Sequence, residues 1–361
     1  MPQSAKTPST PPTSPAAVPQ PPAGPLPEAV HRTVEVPGGR IHLVEQGSGP
    51  LVLMVHGFPE SWYSWRHQLP ALAAAGYRAV AIDVRGYGRS SKPRDVAAYR
   101  MLAHVADNVA VVRALGEETA TIVGHDWGSP IAANSALLRP DVFTAVALLS
   151  VPYAPRGGVR PTEGFARLGG GGEFYINYFQ EPGRAEAEIE PGVRDWIAGF
   201  YVVASGDAKR DAAPSGAGRD HVGSFSVAPG GKLSDRFPEK LPLPLPWLTE
   251  ADLDFYAGEF ERTGLTGGLN RYRNVDRDWE DLAAWDGAPI RQPSLFIGGE
   301  HDAPTNWMAD AIKAFPHTLP GLSASHILDG CGHWVQQERP EEVNHLLLDW
   351  LQTLPGTGAG A

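Results

Sequence analysis

The chain has 361 residues, and its 42% hydrophobic, 9% aromatic and 20% charged residues are those of a packed globular protein with one large domain or two modest ones, which excludes a small stapled scaffold and a fibrous chain. With 30 Lys and Arg against 41 Asp and Glu, the formal net charge is -11, so no overall basic field exists to attract nucleic acid or anionic lipid. The one cysteine, Cys331, excludes an intramolecular disulfide and a cysteine-built zinc site.

Residues 1–30 are about a third proline, with little to bury, and are expected to form a disordered tail. They carry no continuous apolar stretch of the kind a signal peptide needs, and no later run approaches the roughly 18 apolar residues of a spanning helix. A cytoplasmic protein without membrane insertion is expected, and a homodimer is compatible with such a chain.

From His31 onward, strands alternate with helices. Pro37-Gly38-Gly39 joins two short alternating runs as a hairpin. LVLMV (51–55), AVAID (79–83), ATIVG (120–124) and TAVALLS (144–150) read as strands buried on both faces, as in a parallel sheet. Helical patterns over 67–76, 101–116 and 129–140 lie between them. This βαβ series predicts an α/β fold, a mostly parallel sheet with helices on both faces.

The alternation stops near Tyr153 and resumes with strands at 293–299 and 326–330 and a helix over 340–354. The core is therefore expected in two parts, 31–153 and 291–354, followed by a flexible C-terminus at 355–361. A helical cap (lid) domain is expected over 154–290. Within it, 185–205 and 249–264 read as helices, the second opened by Thr249 as N-cap with Asp252 three residues on. Residues 206–232 are polar and Gly-rich, and predict a long mobile excursion.

The stretch IVGHDWGSPIAAN carries the most chemistry. A buried strand ends at Gly124 and a helix begins by Pro130; between them Gly124-His125-Asp126-Trp127-Gly128 has the spacing of a nucleophile elbow, with Asp126 where an esterase carries serine. An aspartate here could also simply cap the following helix. Asp302 follows the strand SLFIGG and His333 follows HILDG, so both fall at the carboxyl edge of the sheet, where the elbow also points. Nucleophile, acid, histidine is a triad order. His56-Gly57-Phe58-Pro59 ends another core strand, and the backbone N–H groups of Phe58 and Trp127 would converge on the Asp126 carboxyl as an oxyanion hole. The alternative is a tight turn, with room for a cis bond before Pro59. Trp62, Trp65, Phe179 and Trp334, with Phe58 and Trp127, are available to line an apolar pocket, core packing being the equal alternative. His125 and Asp83 read as structural supports of the elbow and of the loop DVRGYGRSS. No Walker motif, dinucleotide fingerprint or metal-ligand cluster appears, so neither cofactor nor metal is expected.

The motifs HGFPESWYSWRHQLPALAAAGYR, DVRGYGRSS, GHDWGS, YFQEPGRAEAE, LTEADLDFYAGEFERTG, YRNVDRDW and CGHWVQQERPEEVN together resemble the epoxide hydrolases of the α/β-hydrolase superfamily, over nearly all of 31–353. The resemblance implies Asp126 as nucleophile, Asp302 as acid, His333 as base, and Tyr175 and Tyr272 as the two cap tyrosines, acting on a small apolar epoxide and water. The residue types suit that chemistry. A carboxylate is ionised at neutral pH and can open a strained ring without a base, while a tyrosine stays protonated and can donate to the leaving oxygen. A haloalkane dehalogenase shares the fold and the Asp nucleophile and is the alternative. A noncatalytic ligand receptor on the same fold has no need of the intact set Asp126, Asp302 and His333.

Overall fold

The computed structural model describes residues 29–169, 171–207 and 225–355. The expectations for 1–28, 208–224 and 356–361 lie outside the described residues.

Eight strands form one sheet in the order β1-β2-β4-β3-β5-β6-β9-β10. β1 (Val30–Val36) and β2 (Gly39–Gln46) form the antiparallel hairpin, turning at Gly38, whose φ of 85° favours glycine. β1 thus begins at Val30, inside the span read as tail. β2 is also antiparallel to β4 (Arg78–Ile82). The remaining pairs, through β3 (Leu51–Val55), β5 (Ala120–His125), β6 (Phe143–Leu149), β9 (Ser294–Gly299) and β10 (Leu322–Leu328), are parallel. β3, β5 and β9 are buried along their whole length, which is why they read as unbroken apolar runs. β10 differs from expectation: it starts at Leu322 and ends before Asp329. As an edge strand it alternates half-buried with exposed residues, and its first half, Leu-Ser-Ala-Ser, carries no apolar run to flag it.

Helices α1 (Gln68–Ala74), α2 (Met101–Ala114) and α3 (Gly128–Leu138) connect the first strands. The inserted region lies between β6 and β9 and is mainly helical, with a small antiparallel pair, β7 (Glu173–Phe174) and β8 (Ser226–Val227). The helix expected over 185–205 is broken. Arg184–Ile189 and Val193–Ala204 are separated by a short turn of 3-10 helix at Glu190–Gly192, because Pro191 has no N–H to continue the ladder. The helix Glu250–Thr263 is capped as expected: Asp252 N–H donates to Thr249 Oγ1 at 3.1 Å and Thr249 N–H donates to Asp252 Oδ2 at 2.9 Å. The end of the 206–232 segment is not a loose excursion. Phe225 and Val227 are buried, and the Phe225 ring packs on Tyr175, Phe200 and Trp307.

The cap is bolted to the core by buried polar contacts. Arg66 donates to Gln337 Oε1 and to Trp247 O and pairs with Asp252, which also accepts from the Tyr63 hydroxyl. Arg271 pairs with Asp278, which accepts the Met101 N–H that opens α2. Such pairs cost desolvation and are held by several hydrogen bonds each, so they fix orientation more than they add stability. Among the described residues no helix is long and apolar enough to cross a membrane, and no cluster of three or more His, Cys, Asp or Glu side chains is placed to hold a metal.

Candidate active site

Register brings the carboxyl ends of the parallel strands level: Val55 pairs with Gly124, Gly124 with Leu148, and Leu149 with Ile297. The residues that follow each strand therefore meet at one edge. At the end of β5 the chain turns into α3 through Asp126, whose φ of 51° is left-handed, a strained state for a side-chain-bearing residue. Glycine is required on both sides: a Cβ on Gly124 would lie 2.0 Å from Gly128 O, and one on Gly128 would lie 1.9 Å from Val55 O. The Asp126 side chain does not cap α3, whose N-cap is Trp127 without a side-chain bond. Its Oδ1 instead accepts the Phe58 N–H at 2.8 Å. Gly57 makes room for that approach, since a Cβ there would fall 2.2 Å from Oδ1. The Phe58-Pro59 bond is cis. Trp127, as N-cap, leaves its N–H outside the helical ladder.

His333 lies between two carboxylates, with Nδ1 2.8 Å from Asp302 Oδ1 and Nε2 3.4 Å from Asp126 Oδ2. Burial opposes its positive charge, but Asp302 and then the bond to Asp126 outweigh burial and raise its pKa to about 10. The surroundings of the imidazole therefore favour its protonated form in the resting site. Two hydroxyls that the sequence did not single out complete the array. Ser150, following β6 with a φ of 70°, sets Oγ 2.8 Å from Asp302 Oδ2, and Thr305 Oγ1 lies 2.6 Å from the same oxygen. Their only sequence signal is position, one after a strand end and the other three residues after Asp302.

Behind the elbow is a second buried array. His125 Nε2 is 2.8 Å from His333 O, and Nδ1 is 3.0 Å from Glu60 Oε2, so each ring nitrogen faces an acceptor. Glu60 also accepts the Gly57 N–H at 2.6 Å and the Gln336 amide at 3.2 Å. Burial works to raise its carboxyl, yet the His125 partner prevails and holds its pKa at about 2. Through Glu60, His125 thus links the Gly57-Phe58 loop to the His333 loop, and Glu60 is a support that sequence reading missed. Asp83 holds its loop by accepting the Arg89 and Trp62 N–H groups.

Tyr175 and Tyr272 come from separate cap helices, and their rings lie 6.0 Å apart. Burial above all pushes both phenols well above the usual range; the Asp126 charge is the next contribution at Tyr175, and at Tyr272 it follows that of Tyr175. Both line one cavity with Asp126 and His333. Its volume is about 20 Å³, room for about one water. The apolar wall differs from expectation. Phe58 lines the cavity together with Phe200, Phe225 and Trp307, whereas Trp62, Trp65, Phe179 and Trp334 are not among its lining residues. Trp62 packs edge-on to Phe255, Trp65 is wholly buried, Phe179 sits behind Phe58 and Tyr272, and Trp334 packs on Tyr201 and donates Nε1–H to its carbonyl. Trp127 and Arg271, the chain neighbours of Asp126 and Tyr272, face a separate cavity of about 300 Å³, with the guanidinium 4.9 Å over the indole.

Residues 50–184 match the family described as alpha/beta hydrolase fold. Epoxide hydrolase B of Mycobacterium tuberculosis is 46% identical over 351 residues, covering 89% of this chain and 98% of that protein. Epoxide hydrolase A of the same organism is 44% identical over 335 residues, covering 90% and 97%. Among solved structures, an epoxide hydrolase from an endophytic Streptomyces is 75% identical, with a TM-score of 0.86 over 91% of this chain and 96% of that one. Epoxide hydrolase A from Mycobacterium thermoresistibile is 44% identical, with a TM-score of 0.83 over 90% and 99%. An aspartate elbow on this sheet, beneath an inserted helical cap and with likeness at this level over nine-tenths of the chain, has one reading: the chain belongs to the epoxide hydrolases of the α/β-hydrolase fold.

Proposed function

We propose that this protein hydrolyses small apolar epoxides to vicinal diols, with Asp126 as nucleophile, His333 as base oriented by Asp302, and Tyr175 and Tyr272 as proton donors. The observation that carries this reading is the single cavity in which the Asp126 carboxylate, the His333 imidazole and both tyrosines meet. Its aromatic walls, Phe58, Phe200, Phe225 and Trp307, suit an apolar substituent.

With Oδ1 held by the Phe58 N–H, Oδ2 is the oxygen left to attack a ring carbon. The ring C–O bond breaks as the C–Oδ2 bond forms, and the departing oxygen takes a proton from a tyrosine hydroxyl. The raised phenol pKa keeps that proton in place until the alkoxide develops.

At this point His333 is still cationic and cannot act as a base. Esterification of Asp126 removes one of the two charges that hold its proton, and the tyrosinate left by ring opening is the acceptor for it. The result is a neutral imidazole and a restored phenol. His333 then takes a proton from water as the water oxygen attacks Asp126 Cγ, and charge develops on Oδ1 against the Phe58 and Trp127 N–H groups. Collapse breaks the Cγ–Oδ2 bond. The diol oxygen takes the imidazolium proton, and the new Asp126 acid returns its own proton to His333, which restores the starting state.

Single turnover in oxygen-18 water tests the scheme. Because water attacks the ester carbonyl, label is expected in the Asp126 carboxylate, read by mass spectrometry of the peptide containing GHDWGS. Label confined to the diol would mean direct attack of water on the ring and would overturn the reading.

A further inference from the structure

The loop that carries His333 meets the cap backbone against backbone. A Cβ on Gly332 would lie 2.1 Å from Gly206 N, one on Gly206 would lie 2.3 Å from Gly330 O, and one on Gly299, at the end of β9, would lie 2.2 Å from Gly332 O. Three glycines, from the cap, the histidine loop and the sheet, thus form one junction, and the His333 N–H donates across it to Ala204 O at 2.9 Å.

One carboxylate, that of Glu338, gathers the junction. Its Oε2 accepts the N–H groups of Gly206 at 3.0 Å and Gly332 at 2.9 Å, and its Oε1 accepts the Trp334 N–H at 3.1 Å. The residues on both sides of His333 are therefore tied to the same buried group as the end of the cap segment. Among the described residues no side-chain cation is paired with it, and its hydrogen-bond donors are these three backbone N–H groups.

We propose that Glu338 is a positioning residue for ester hydrolysis: its carboxylate fixes the His333 loop so that the imidazole meets both Asp302 and the water that attacks Asp126, and it couples that alignment to the seat of the cap. The proposal rests on the reading of His333 as base. Burial pushes the Glu338 carboxyl up to about 7, against the pull of its three backbone bonds. The ionisable neighbours that act on it are Asp207 from the cap, whose charge raises it further, and Cys331 from the loop, a thiol that itself feels the Glu338 charge. A protonated carboxyl would present an O–H to a ring of three donors and must give up a bond. Since a carboxyl raised above its unfolded value is protonated more readily in the folded protein, that event does not weaken the fold. It acts on the position of His333.

Rapid-quench mass spectrometry with styrene oxide separates alkylation of Asp126 from hydrolysis of the ester in the parent, Glu338→Gln, Glu338→Asp and His333→Gln. Glu338→Gln is expected to alkylate within about twofold of the parent and to hydrolyse the ester about tenfold or more slowly. The parent is expected to lose hydrolysis along an acid limb near pH 7, and Glu338→Gln should lack that limb. Glu338→Asp, which keeps the charge but withdraws it by one methylene, should slow hydrolysis in the same selective way. Parent-rate hydrolysis in either folded variant, or an equal fall of both steps, overturns the proposal while leaving His333 as base if His333→Gln stays slow. Parent-rate hydrolysis in His333→Gln overturns the base assignment and this inference with it.

Discussion

His333 Nε2 stands 3.4 Å from Asp126 Oδ2, and this contact, with the shorter one to Asp302, binds a proton that burial alone would expel. The folded pKa, about 10, lies above the unfolded value of roughly 6.5. The stability this array contributes is therefore complete below about pH 6.5 and is lost as pH rises through about 10. Thermal melts from pH 6 to 10 should fall in the parent and fall less steeply in His333→Gln. Parallel curves would show that the imidazolium is not bound as the geometry implies.

His333→Gln should still form the ester, because alkylation uses Oδ2 and a tyrosine proton, but should hydrolyse it slowly. Substrate mass is expected on the peptide containing GHDWGS. Asp302→Asn should behave alike but more mildly, since it removes charge and orientation while the imidazole remains. A His333→Gln enzyme with normal turnover would remove the base assignment.

Tyr175→Phe and Tyr272→Phe should each slow alkylation by about tenfold or more, about 1.4 kcal/mol, because the remaining phenol still reaches the oxygen. The double variant should lose nearly all activity without accumulating ester, the opposite of His333→Gln. Parent-rate alkylation in the double variant would make both tyrosines cavity walls only.

Glu60→Gln tests the array behind the elbow. The carboxyl is held at about 2, below its ordinary 4.5, so its contribution is present above about pH 4.5 and is lost as pH falls toward 2. The variant should melt lower at pH 7, by about 1–3 kcal/mol of unfolding free energy for the partners left unsatisfied. The difference from the parent should shrink in acid. Equal stability at pH 7 would show that His125 and Gly57 find other acceptors.

The strands, and the places where Asp126, Asp302 and His333 leave them, were legible because they are local facts. Unbroken apolar runs such as LVLMV mark buried parallel strands, and Gly124 and Gly128 mark a turn too tight for any Cβ. An Asp, Asp, His set in chain order at strand ends needs only the sheet to bring it together. The break at Pro191 is also written in the sequence, although the apolar period on either side of it runs on as if one helix continued.

What the sequence left open depends on partners far apart in the chain. Glu60 meets His125 across 65 residues, and His125 meets the His333 carbonyl across 208. The short helix Trp62–Trp65 is entirely buried, so its tryptophans carry no periodic sign of which neighbour they face; they pack into the core, and Phe200, Phe225 and Trp307 wall the cavity. Local sterics act over a few residues and set the strands, caps and the elbow by themselves. Which aromatic ring faces Asp126, and which carboxylate receives the N–H groups beside His333, is decided by the packing of cap on core, and only the tertiary structure holds that information.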